Sequence, residues 1–294
     1  MNPEIDHPAV SNAIAPCARR VRRISLWGVV WRTMLVVILL LTFLPFLFML
    51  STSFKDAHQF YHSFWTPTWP PAWDNYAKAC VDLKGYVINS LIVTTLTVLG
   101  VLAFSIMTGF LFARYRFPGK EFIYYMMLAM LMVPGILMLI PQFVWVQQLN
   151  LLNTYAVMVL PYIAGMQILG VFLLRSFFAQ LDQALFESAQ LDGAGLFRQI
   201  WHIALPLSKP VLGVVAIMSA LGVWNSFLWP LVTATDESVT VLTVGVLRYA
   251  TGRVLNNYGP MFAGYVISAI PLTILFALFT RAFMKGITSG ALKG

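Results

Sequence analysis

Residues 90–112 read SLIVTTLTVLGVLAFSIMTGFLF, a run without a single Asp, Glu, Lys or Arg. As a helix rising about 1.5 Å per residue, this run reaches roughly 34 Å, enough to cross a hydrocarbon layer about 30 Å thick. Backbone groups in lipid must bond within the segment, so a spanning stretch of this kind is a helix. Five further stretches behave alike: 33–50, 122–141, 155–174, 211–232 and 261–280. Each has 18 to 22 residues, and none of the chain's 30 charged residues lies in any of the six. A charge at mid-membrane costs about 2.5 to 3.5 kcal/mol, which accounts for that vacancy.

The remainder of the 294 residues agrees. Charged residues make up 10% and hydrophobic ones 59%, with a mean hydropathy of +0.78, whereas soluble domains carry about 25% charged residues. The fold expected is therefore an all-α integral membrane protein with six transmembrane helices. A net charge of +8 could mark a nucleic-acid binder, but here the bases orient the spans. With the N-terminus inside, 14 of the 19 Lys and Arg fall in cytoplasmic segments, among them Arg19, Arg20, Arg22, Arg23, Arg114, Arg116, Lys120, Arg175 and Lys209. Lys55, Lys78, Lys84, Arg248 and Arg253 fall outside. Both termini are thus expected in the cytoplasm and no nucleic acid is expected as a partner.

The first apolar stretch follows four arginines, as a signal peptide would. Its 18 residues exceed the usual h-region of about 7 to 15, so an uncleaved signal anchor is expected. Cys17 and Cys80 fall on opposite sides of the membrane in this topology and cannot pair within one chain. Prolines 45, 134, 141, 161, 230 and 271 lie within or beside spans. They read either as hinges or as the ordinary enrichment of proline in membrane helices.

Several chemistries have no residues to carry them. Every Asp, Glu and His lies outside the spans, so a proton relay lacks its groups. The one Gly-Lys pair, Gly119-Lys120, is followed by Glu121 rather than Ser or Thr, so no phosphate-cradling P-loop is present. No nucleophile-and-base set, His-Glu-x-x-His site or carboxylate pair sits at membrane depth. The chain is not expected to be an enzyme or to bind a cofactor or metal.

One cytoplasmic loop, 175–209, has the pattern of folded structure. Asp182 is placed to cap a helix. Ala184, Leu185, Ser188 and Ala189 share one face, small enough for another backbone to approach, and Gly193 can end the helix left-handed. A second apolar run, 200–205, is closed by Pro206. By pattern this is a helix, turn and helix at the cytoplasmic surface, and an amphipathic anchor for a long loop would look the same.

The residues of that loop resemble a known motif. Glu187-Ser188-Ala189, then Gly193, Ile203, Leu205 and Pro206 at the right spacings, are similar to the EAA loop of ABC importer permeases, with Ser188 where Ala is usual and Asp192 and Ala194 flanking the glycine. The resemblance covers residues 75–294. Asn89-Ser90, Leu151 through Tyr155, Trp224-Asn225 with Phe227 through Pro230, and the Lys285-Gly286 to Lys293-Gly294 ending look like the carbohydrate-uptake, maltose-type branch. Ser226 stands where that branch often has an acid.

The resemblance implies a cytoplasmic tail (1–32), a first helix with its outer loop (33–89), the importer transmembrane domain (90–283, with the EAA loop at 182–206) and a cytoplasmic C-terminal tail (284–294). It implies a multi-pass protein of the bacterial inner membrane, partnered by a second permease, two copies of an ATPase subunit and an extracytoplasmic solute-binding protein. ATP and Mg would sit on the ATPase. Glu187, Ser188, Ala189, Asp192, Gly193 and Ala194 would dock on it, with Ile203, Leu205 and Pro206 fixing the second arm. Trp224, Asn225, Ser226 and Phe227 are candidates for the solute path; Trp224 and Trp229 read equally as an aromatic belt near the outer face. Trp65, Trp69 and Trp73 of the outer loop read as interface anchors or as contacts for the binding protein. A self-sufficient secondary transporter or channel is the alternative, and solute flux by the chain alone would distinguish it.

Overall fold

The computed structural model describes residues 26–255 and 257–291. Their regular structure is helical throughout, with no strand among the described residues. Contacts divide the chain into residues 1–47 and 48–294. The first unit contributes most of helix α1 (Leu26–Ser53), whose apolar side chains from Val29 to Leu47 are exposed. Thr42 donates to the Ile38 carbonyl at 2.8 Å, which satisfies its hydroxyl within the helix.

The second unit is built around α3 (Asp74–Arg114), which follows the short α2 (Ala57–His62). At about 1.5 Å per residue, its 41 residues measure roughly 61 Å, so the stretch 90–112 is only the second half of the helix. Helix α6 (Tyr155–Ala179) packs along it through small residues. A methyl group on Gly170 would lie 2.9 Å from Ser105 Cβ and 3.2 Å from Val215, and one on Gly109 would lie 3.0 Å from Leu174 Cβ. Close backbone approach of this kind is how helices associate in lipid, where apolar burial gives no drive.

Two expected spans are not single helices. Stretch 122–141 is divided between α4 (Lys120–Ala129) with a 3₁₀ turn to Met132, and a second 3₁₀ turn leading into α5 (Leu139–Gln148); the halves meet at 96°. The bend falls at Val133-Pro134: proline holds Val133 extended (φ −80°, ψ 118°) and donates no hydrogen bond of its own. Stretch 211–232 is interrupted at residues 225–227, between α10 (Lys209–Trp224) and α11 (Leu228–Thr233). Helices α1, α3 and α6 are each long and apolar enough to cross a membrane. The sixth stretch lies within α13 (Tyr258–Ala291).

The prolines separate by position. Pro45, Pro161 and Pro271 remain inside helices, whereas Pro141 and Pro230 occupy first turns, where no intrahelical donor is needed.

Near the middle of α3, side chains gather the segment 234–242 ahead of α12 (Leu242–Arg248). Asn89 Nδ2 donates to the carbonyls of Ser238 and Thr240, both at 2.9 Å, and its Oδ1 accepts from Tyr155. Ser90 Oγ accepts from the Leu242 N–H. Asn153, left-handed at φ 58°, accepts from the backbone of Thr235 and Asp236. Motif residues 89, 90 and 153 thus act as clamps on one distant segment. Arg253 adds ion pairs to Asp82 at 2.9 Å and Glu237 at 3.6 Å.

Candidate functional site

The loop singled out by its spacing forms an arm between α6 and α10. Asp182 adopts an extended backbone and its carboxylate accepts from the Ala184 N–H at 3.0 Å, starting α7 (Gln183–Leu191). Two bonds close that helix: Gly193, at φ 77°, donates to Gln190, and Ala194 donates to Ala189 at 2.8 Å. This pair is a Schellman termination, and it requires the left-handed residue that glycine supplies without strain. Buried Gln199 then donates to the Ala194 carbonyl and fixes the turn from beneath.

The return limb runs through α8 (Leu196–Gln199), a π turn at Ile200–Ala204 and α9 (Leu205–Leu207). Pro206 does not close this limb, as its position had suggested. Leu205 donates to Ile200 in the wider turn, which leaves room for the proline ring, and the chain instead bends by 83° after Leu207, at buried Ser208. Ile200 and Ala204 are buried with Ile106, Phe110, Leu174 and Phe178, and Ile203 and Leu205 pack against that cluster.

Ala184, Leu185 and Ser188 of the small-residue face are exposed, and the inward residue of α7 is Phe186. Its ring lies 5.5 Å from Phe110, and the Arg114 guanidinium sits 4.3 Å above it. Arg114 also donates to the Leu181 carbonyl at 2.7 Å, pinning the entry to the arm. Burial pulls this guanidinium below its ordinary value, against the Asp182 carboxylate, which pushes it up. Glu187, Ser188, Asp192, Gly193 and Pro206 are exposed, Ala189 and Ala194 half-buried, and Leu191 is 90% exposed. Glu187 accepts from Gln183 at 2.7 Å. The arm therefore holds its inner face in the core and turns a mixed acidic and apolar rim outward.

The four candidate solute-path residues lie at the break after α10. Trp224, 8% exposed, is its last helical residue, and Asn225 donates to Leu221 at 2.9 Å. Tyr162 and Ser226 share a short hydroxyl contact, and Thr243 donates to the Ser226 carbonyl at 2.7 Å. Trp224, Asn225 and Phe227 line a cleft of about 430 Å³ together with Thr243, Ser268 and Leu272. An indole, an amide and two hydroxyls around one hollow suit a polar, ring-bearing solute. Trp229 is also buried and donates to the Val157 carbonyl, so neither tryptophan is a surface belt residue in this fold. Trp65, Trp69 and Trp73 are exposed.

Sequence reasoning did not find Arg114, Tyr162, Thr243 or Ser268. Arg114 carried a signal only as an orienting charge, and the hydroxyls have no spacing that sets them apart from other span residues.

Residues 85–289 match the family of binding-protein-dependent transport system inner membrane components. The diacetylchitobiose uptake system permease protein NgcG of Streptomyces coelicolor is 33% identical over 287 residues, which is 97% of this chain and 93% of that protein. The trehalose/maltose transport system permease protein MalG of Thermococcus litoralis is 30% identical over 85% of this chain and 91% of its own. A bacterial ABC transporter involved in the import of the acidic polysaccharide alginate contains a chain with the same fold, at a TM-score of 0.76 and 19% identity, over 89% of this chain and 98% of that one. With the match spanning most of its length, this chain belongs to the binding-protein-dependent transport system inner membrane component family.

Proposed function

We propose that the chain is the permease subunit of an ATP-driven, binding-protein-dependent importer of a sugar or related polyol or sugar phosphate. Its relatives are permeases of carbohydrate uptake systems, and the cleft beside Trp224 offers an indole ring, the Asn225 amide and hydroxyl oxygens that can still accept. In this reading six spans place both termini and the α7 arm in the cytoplasm. A second permease completes the pathway, two ATPase subunits bind ATP and Mg, and an extracytoplasmic protein delivers the solute.

The observation that carries the coupling role is the construction of the arm. Phe186, Ile200 and Ala204 fasten it to the ends of α3 and α6, while Glu187, Ser188, Leu191 and Asp192 face outward. A partner that pulls on this rim moves α3 and α6 with it, because the packing between them is tight rather than compliant. Closure of the ATPase pair then shifts the population between inward-open and outward-open bundles.

Reversing the charge at the rim tests this. Glu187→Arg is expected to insert normally, to lower solute uptake by at least about tenfold, and to leave ATP hydrolysis running without transport, since a reversed interfacial charge costs several kcal/mol. Uptake into proteoliposomes beside ATPase turnover is the measurement. Unchanged uptake refutes the docking role, and solute flux by the purified chain alone supports a self-sufficient carrier instead.

A further inference from the structure

Between the end of α3 and α7 lies a polar cleft of about 550 Å³, bordered by Glu187 of the arm; two of its cations, Arg116 and Lys120, have no part in the coupling role. Arg114, Arg116 and Lys120 line it on one wall, Gln183, Glu187 and Gln190 on the other. Three cations share the lining with one carboxylate, Glu187, and although Asp182 acts on Arg114 from nearby, none of the three forms an ion pair among the described residues. Arg114 spends one nitrogen on the Leu181 carbonyl, while its Nε is buried without a partner. Lys120 donates only to the Tyr115 carbonyl, at 3.0 Å. Arg114 and Lys120 are half-buried and Arg116 is exposed; such an excess of cationic donors is what a phosphate group satisfies, because its oxygens accept several charge-assisted bonds at once.

A second, more open cleft of about 480 Å³ shares Arg116 and Lys120 and adds Phe117, Phe122 and Glu121, whose carboxylate is taken by Arg175 at 2.8 Å. From there an exposed apolar wall continues along α4, with Phe122, Ile123, Tyr125 and Met126 turned outward. Cations at the mouth with an apolar wall leading away from them fit a molecule with a charged head and hydrocarbon tails. A protein carboxylate or a free anion has no use for the wall.

We propose that this cleft holds the phosphate of an anionic phospholipid, its acyl chains lying against α4. The lipid then braces the α3–α4 turn against α7, beside Glu187, and sets the arm that the partner moves. The proposal rests on the topology given above only for the leaflet that supplies the lipid; basic clusters at the cytoplasmic surface attract the anionic lipids of that leaflet.

The test is lipid retention by the purified permease, alone and in its assembled transporter, read by native mass spectrometry after exchange with phosphatidylglycerol or phosphatidylcholine. Wild type is expected to retain phosphatidylglycerol preferentially. R116Q/K120Q is expected to lose that preference by about tenfold or more, each cation near a charged membrane surface being worth roughly fivefold. R198Q/K209Q, which removes the same charge from the arm outside the cleft, is expected to keep it. Thermal unfolding in phosphatidylcholine shows that both variants are folded. Unaltered retention by R116Q/K120Q overturns the proposal. So does displacement by inorganic phosphate or glycerol phosphate, which marks a free-anion site, and so does loss of lipid when the ATPase binds, which marks a protein contact. Failure of the chain to recover an ATPase sinks the functional reading but leaves the lipid measurement intact.

Discussion

Asn89 uses both ends of one amide to hold three groups: two carbonyls of the 238–240 segment and the Tyr155 hydroxyl. Replacing it by leucine strands those groups at a buried site, at a cost of roughly 2 to 3 kcal/mol. Asn89→Leu is therefore expected to lower the unfolding temperature of the detergent-purified protein measurably. Tyr155→Phe, which removes one bond and leaves the amide its other partners, is expected to have a smaller effect; equal effects refute the hub. The Asn89-Ser90 pair was visible in the sequence as a motif, but its purpose was not, because its partners lie about 150 residues further along the chain. Arg114 has the same history. A lone arginine after an apolar run reads as a topology signal, and only the fold shows its guanidinium over Phe186 and against the entry to the arm.

Among the elements, the contact between α3 and α6 admits little change. An alanine at Gly170 meets Ser105 and Val215, neither of which can retreat far in a packed crossing, so Gly170→Ala is expected to cost about 1 to 3 kcal/mol. Gly165, five residues earlier on the same helix, has open space around it, and Gly165→Ala is expected to be neutral or mildly stabilising. Thermal unfolding of the two variants side by side checks the helix pairing. Breaks are less legible than helices. The sequence offered six prolines in or near spans, yet a chain bend of 96° occurs only at Pro134, while Pro161 and Pro271 stay inside continuous helices. The interruption at 225–227 has no proline within it, but Pro230 lies four residues after Ser226 and cannot donate to its carbonyl. Thr243 donates to that carbonyl instead, and Tyr162 meets the Ser226 hydroxyl. Neighbours of this kind re-satisfy opened backbone in membranes, and sequence spacing does not record them.

For the whole molecule, the charge distribution makes the proposed orientation testable. Cys80 is exposed near the start of α3, on the side opposite the α7 arm in the six-span topology. In a Cys17→Ser background, a membrane-impermeant maleimide is expected to label Cys80 in intact spheroplasts. Labelling only after the membrane is permeabilised reverses the orientation and moves the arm outside, away from any cytoplasmic ATPase. The same outcome would deny Arg116 and Lys120 the inner-leaflet lipid while leaving their cleft in place.

The sequence by itself determined the solvent of this chain, the positions of its apolar stretches and the spacing of its coupling motif. These follow from local quantities: the cost of a charge in lipid, the rise of a helix, the left-handed preference of Gly193 and the capping carboxylate of Asp182. Tertiary structure decided which stretches are broken, that Phe186 turns inward, that Pro206 continues its limb, and that Trp224 and Trp229 are buried. Each of these depends on which distant side chain fills a space or satisfies a freed backbone group, and that is fixed only when α3, α6 and α10 have packed.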